Sequence, residues 1–190
     1  TTQSFSWESA FISADQTRPS VLEIIPTEEY TRFPQRGAQK VTGSSHNFRT
    51  NRCFHEVTAT GLAPGTSYTY RVGDGEGHWS EAAAFRTEGE EDSFHIAWVT
   101  DTQQTSYNGW AKPGYRWSTL LDRALEKVED IDMILHTGDI AQTLGSIENY
   151  DDVFGVAADY LRSIPFVPVV GNHDIPGFNQ FYTPTYGDYV

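Results

Sequence analysis

Three places in this chain carry residue types and spacings that could do chemistry: Asp101, Asp139, and the run Gly171-Asn172-His173-Asp174. Carboxylates and an amide oxygen are hard donors for divalent cations, and an imidazole beside them can move a proton near neutral pH. Asp139 lies 38 positions after Asp101, and Asn172 lies 33 after Asp139. Each interval is about one strand–helix unit with its loop. Each place also follows an apolar run: His95-Ile96-Ala97-Trp98-Val99-Thr100, Met133-Ile134-Leu135, and Phe166-Val167-Pro168-Val169-Val170. These read as buried strands delivering ligands at their C-terminal tips, where open α/β sheets bind. Gly138 lets the chain turn sharply just before Asp139. The pattern predicts a divalent-metal site suited to phosphoester chemistry.

Taken singly, each residue has a plainer reading. A lone Asp at a strand end is a turn or helix cap, Asn172 a turn residue, His173 a surface loop residue. Only the joint pattern outweighs these. His95 and His136 lie within strands and read as core or edge residues. His46, His55 and His78 sit in the β-rich part and receive no role. Trp110, Tyr115 and Trp117 read as packing around a helix rather than as a substrate entrance.

The elements that must position the site begin at Ser93, where the rhythm becomes strand, helix, strand, helix, strand. Trp117, Leu120, Leu121, Ala124, Leu125 and Val128 recur at helical spacing, as do Tyr150, Val153, Phe154, Ala157 and Leu161. One-faced helices between apolar strands predict a βαβαβ unit with parallel strands. The stretch from Tyr107 to Tyr115 reads as a loop over the sheet tips, and the chain from Ile175 onward as irregular.

The part before Thr87 reads as all-β. Phe5 and Trp7, the run Val21-Leu22-Glu23-Ile24-Ile25, the alternation around His55, Val57 and Ala59, and that of Tyr68, Tyr70 and Val72 mark strands of a sandwich. Gly73-Asp74-Gly75-Glu76-Gly77 is a turn cluster. Arg32 to Arg52 shows little periodicity and reads as loops with at most one short strand. The acidic run Glu88-Gly89-Glu90-Glu91-Asp92 reads as a solvated linker. The expected division is therefore 1–88, a linker at 89–92, and 93–190.

Composition limits the function. The net charge is −13, with 26 acidic against 13 basic residues. That argues against specific nucleic-acid binding or anionic membranes, which need a basic face. It leaves a phosphate substrate open, because bound cations reverse the sign locally. Cys53 is the only cysteine, so no intrachain disulfide forms. No apolar run approaches the length of a membrane span.

Leu62-Ala63-Pro64-Gly65-Thr66-Ser67-Tyr68-Thr69-Tyr70-Arg71-Val72 resembles the fibronectin type III signature, with Leu62 and Pro64 as loop anchors and Tyr68 as the corner tyrosine. Phe85-Arg86-Thr87 resembles its last strand. Asp101-Thr102-Gln103, Gly138-Asp139 and Gly171-Asn172-His173-Asp174, in that order, resemble the calcineurin-like metallophosphoesterases of the purple-acid-phosphatase-like type, in which a fibronectin-like domain precedes the catalytic one. The resemblance implies a metal-dependent phosphoester hydrolase, a phosphatase or phosphodiesterase using a two-metal-activated water. Two divalent ions (Fe, Zn or Mn) would sit about 3.5–4 Å apart. Asp139 would be the bridge, Asp101 a ligand of the first metal, and Asn172 of the second. His173 would contact the phosphate or protonate the leaving oxygen, and Asp174 would orient His173. The implied substrate is a phosphorylated small molecule or phosphodiester, and the implied location is extracellular or cell-envelope.

Two departures weaken the first metal site. Gln103 stands where the family often has histidine and would ligate only through its amide oxygen. Gln142 stands where purple acid phosphatases have their metal-binding tyrosine. Nor does any histidine follow Asp174, whereas the family's later motifs supply three imidazoles. The expectation is a piece of a longer enzyme carrying the first half of the catalytic domain, with weak or absent metal binding and little activity of its own. An apolar sheet face would then be left for an associating surface to cover. The alternative is a binding or adhesion module with a degenerate phosphoesterase domain.

Overall fold

The structure is a computed structural model of the 190-residue chain. It describes residues 1–10, 18–48, 52–90, 93–103, 115–128, 130–142 and 147–174. The expected loop over the sheet tips, except Tyr115, which begins a helix, and the irregular chain from Ile175 lie outside these residues, as does Trp110. The chain divides into two compact units, Thr1–Glu90 and Glu91–Thr183.

In the first unit, alternation of apolar and polar residues produces two antiparallel sheets. Its strands are β1 (Thr2–Ala10), β2 (Val21–Pro26), β3 (Gln39–Thr42), β4 (Ser44–Phe48), β5 (Arg52–Thr60), β6 (Ser67–Gly73) and β7 (Ala83–Arg86). One sheet has the order β1-β5-β4 and the other β3-β2-β6-β7. Leu22, Ile24, Val57, Ala59, Leu62, Tyr68, Tyr70 and Phe85 form the core, with Phe5 and Trp7 packed against it. The corner bond implied by the fibronectin resemblance is present: the Tyr68 hydroxyl accepts from the Ala63 N–H at 2.9 Å. The unit is a fibronectin type III-like sandwich.

The reading of Arg32 to Arg52 is corrected here. That stretch holds two strands, β3 and β4. In β3 only Val41 is even half-buried, so an edge strand wet on both faces leaves no alternation to detect.

The second unit is a three-stranded parallel sheet of order β10-β9-β8, with β8 at Ile96–Val99, β9 at Met133–His136 and β10 at Phe166–Pro168. Helices α1 (Tyr115–Leu125) and α2 (Ile147–Leu161) make the crossovers. Both pack on the face bearing Ile134, His136 and Phe166. Trp117 meets the His136 ring edge-on at 6.0 Å, and Phe154 meets Phe166 at 5.9 Å. Trp117, Leu121, Tyr150, Val153 and Ala157 are buried there, whereas Leu120, expected on the same face, is exposed at its flank. The opposite face carries Ile96, Trp98 and Val167, and Trp98 is 73% exposed. The strands are thus buried on one side only, not throughout as their apolar runs suggest. An all-β domain followed by βαβαβ is the observed architecture.

Candidate metal and phosphate site

The strand ladder of the second unit continues past the strands and zips their C-terminal loops together. Thr137 N donates to Val99 O at 2.9 Å, Val169 N to His136 O at 2.7 Å, Asp101 N to Gly138 O at 3.1 Å, and Gln103 N to Asp139 O at 3.2 Å. At these tips Asp101 and Asp139 adopt left-handed backbone angles, φ 53° and 54°. Aspartate tolerates that region better than most residues, at a cost of about 1 kcal/mol each. Left-handed residues of this kind concentrate at functional sites. Thr100 Oγ1 donates to Asp101 Oδ2 at 2.7 Å and so orients that carboxylate.

The second and third loops touch at their glycines. Gly138 has φ 106°, and a Cβ there would lie 2.7 Å from Gly171 Cα. A Cβ on Gly171 would collide with the backbone nitrogen and Oδ1 of Asp139. The absence of both side chains lets the His173 N–H reach Asp139 Oδ1 at 3.0 Å. The His173 Nδ1–H donates to the Gln142 carbonyl at 2.8 Å, so the neutral ring carries its lone pair on Nε2. Asn172 and Asp101 are exposed, and Asp139 and His173 are half-buried.

Two side chains are used differently from expectation. Asp174 does not orient His173. It is fully buried, and its carboxylate accepts from Ile140 N (2.9 Å), Ala141 N (3.0 Å) and Gly171 N (2.9 Å), and from the Tyr150 hydroxyl (3.2 Å). Asp174 turns inward while its neighbour turns to Gln142. Gln103 takes on a task in addition to the ligand role expected of its amide oxygen. Its amide faces two carbonyl oxygens, so Nε2 donates to Asp101 O at 3.3 Å and to Asp139 O. It is a strut between the first two loops.

Sequence reasoning left His136 among core histidines, and it is buried, but it also supports the loops. Its Nδ1 accepts from Gly138 N at 3.2 Å and its Nε2 meets Thr102 Oγ1 at 2.8 Å. Burial lowers its pKa from 6.5 to about 4, against the opposing pull of Asp174, Asp101 and Asp139, so the ring is neutral at pH 7. Tyr150 falls on a helix face by its spacing, and nothing in spacing alone marks its hydroxyl as a partner of Asp174.

The donors Asp101, Asp139 and Asn172 suit a hard divalent cation. They fit part of such a site: one oxygen of Asp139 is already engaged, and among the described residues no three His, Cys, Asp or Glu side chains group to hold a metal.

Residues 94–189 match the family model for calcineurin-like phosphoesterase, half of the chain. The chain belongs to the calcineurin-like phosphoesterases. Residues 1–87 match the purple acid phosphatase N-terminal domain. It is 24% identical over 84% of its length to a protein named "Probable inactive purple acid phosphatase 27" and 25% identical over 70% to "Probable inactive purple acid phosphatase 24", both from Arabidopsis thaliana. It covers 30% and 23% of those proteins, so it spans less than a third of each. In fold it resembles purple acid phosphatase PPD1 isolated from yellow lupin (Lupinus luteus) seeds. The TM-score is 0.67 and the identity 20%, over 95% of this chain and 35% of the lupin chain.

Proposed function

We propose that the protein is a metal-dependent phosphoester hydrolase to which this chain contributes the first part of the active site, from the domain that follows residue 92. The observation that carries this reading is the bond from His173 N–H to Asp139 Oδ1, which holds the imidazole-bearing loop against the carboxylate that sequence resemblance makes the metal bridge. When bound, divalent cations would supply Lewis acidity and positive charge at the phosphoryl group. Asp139, Asp101 and the Asn172 amide oxygen would hold them. His173, fixed through Nδ1–H to Gln142 O, would offer Nε2 to a phosphoryl oxygen or hand a proton to the leaving oxygen. A phosphorylated small molecule or a phosphodiester is the substrate class, and a location outside the cytoplasm follows from the same resemblance. Among the described residues no helix is long and apolar enough to cross a membrane.

A second reading, a non-catalytic protein on a phosphoesterase fold, is favoured by one observation: where the resemblance calls for an imidazole ligand the chain has Gln103, whose Nε2 is engaged by two carbonyl oxygens and which has only a neutral amide oxygen to offer a metal. The names of both Arabidopsis relatives point the same way. Hydrolysis of p-nitrophenyl phosphate with added Mn²⁺ or Zn²⁺ separates the two. The whole protein is expected to turn it over, and the 190-residue chain alone to do so little or not at all. A metal-loaded whole protein without turnover would favour the second reading. Robust turnover by the chain alone would show the family's later histidines to be dispensable.

A further inference from the structure

Three of the four donors to the Asp174 carboxylate are backbone N–H groups of the loops it joins: Ile140, Ala141 and Gly171. The fourth is the hydroxyl of Tyr150, which comes from α2. Tyr150 is fully buried, and its hydroxyl also lies 3.3 Å from the Asp174 carbonyl oxygen, so both of these contacts fall on one residue. Its ring stacks on Phe154 at 6.0 Å, and Phe154 meets Phe166 of β10 edge-on. The hydroxyl is therefore held by the same frame that seats the helix on the sheet. Burial first, then the adjacent carboxylate, raises the pKa of the phenol, so it remains a donor across the neutral range.

Hydrogen bonds between two loops hold them to each other, not to the body of the domain. A buried carboxylate that loses one donor must reorient or stay under-solvated. We propose that Tyr150 is a positioning residue of the candidate site: its hydroxyl anchors Asp174 to α2 and so fixes Asp139 relative to Asn172 and His173. The role assigned to those three residues rests on the phosphoesterase reading; the anchoring itself does not.

Tyr150→Phe removes one oxygen and keeps the ring packing. In the metal-free protein, amide hydrogen exchange at Ile140, Ala141 and Gly171 is expected to quicken roughly tenfold, with Val153 and Ala157 in α2 unchanged. Mn²⁺, titrated calorimetrically, is expected to bind about tenfold more weakly to the variant. Phe154→Leu, which loosens the same packing but keeps the hydroxyl, is expected to leave Mn²⁺ affinity as it was. Unchanged exchange at the three loop amides in Tyr150→Phe overturns the proposal. So does an equal loss of Mn²⁺ affinity in Phe154→Leu, which would reduce Tyr150 to packing. If exchange quickens but the wild type binds no Mn²⁺, the anchor stands and the metal reading falls. Should Tyr150→Phe not fold, Asp174→Asn serves: its amide nitrogen must face one of the loop N–H donors, so exchange there must quicken, and unchanged exchange overturns the anchor.

Discussion

Asp139 is the residue on which the second and third loops converge, and the space around it is set by Gly171. Gly171→Ala would drive a methyl into the nitrogen and Oδ1 of Asp139. The nitrogen is backbone and cannot swing aside, so the loops must separate. The expected cost is roughly 2 kcal/mol of stability, with loss of the bond from His173 N–H; a urea titration with unchanged midpoint would contradict this close approach. That Asp101, Asp139 and His173 lie in the loops at the strand tips was legible in the sequence because each follows an apolar run. The hydrogen bonds of Gln103 and Asp174 were not legible there. The direction of a side chain in a loop depends on which donors and acceptors the other loops present, and those come from far along the chain. Tyr150 was hidden for a related reason: on a helix face, a tyrosine whose ring packs looks the same whether or not its hydroxyl has a buried partner.

At the level of elements, the strongest signals were those in which one face is buried and the other wet. α2 shows its stripe of Tyr150, Val153 and Ala157, and β5 shows buried Val57 and Ala59 against exposed Thr58 and Thr60. Where β3 and β4 lie, at most one short strand was legible, because an edge strand exposed on both faces has no period to read. The corner between β5 and β6 was legible through Leu62 and Tyr68. Tyr68→Phe leaves the Ala63 N–H without the hydroxyl that accepts it. The sandwich is expected to lose about 1 kcal/mol while keeping its fold, measurable by denaturant unfolding with the far-UV spectrum unchanged. The parallel sheet is the opposite case. Its parallel strands were legible from the alternation of strands and helices, but the bare side with Trp98 and Ile96 shows only when the position of both helices is known.

At the scale of the whole molecule, each unit holds one buried neutral histidine. His55, between the hydroxyls of Ser9 (2.7 Å) and Ser20 (3.0 Å), has its pKa lowered to about 4 by burial and then by Arg18. His136 is lowered to about 4 by burial. Unfolding returns each to the ordinary 6.5, so the unfolded chain takes up protons first as the pH falls. Stability is therefore full above about pH 6.5 and is lost progressively as the pH falls from 6.5 to about 4. We propose that residues 1–88 form an independent domain, since the sandwich has its own core. Expressed alone, this segment is expected to unfold cooperatively in urea, with a midpoint that falls across that pH window; a midpoint flat from pH 6.5 to 4 would remove the neutral His55. In the other unit, the proposed site has three strand tips bringing cation ligands beside an imidazole. Its most direct test is elemental analysis of the whole protein after exposure to Mn²⁺ and exhaustive dialysis, with Asp139→Ala beside the wild type. The wild type is expected to retain metal and the variant to lose it; equal metal content in the two would contradict the site.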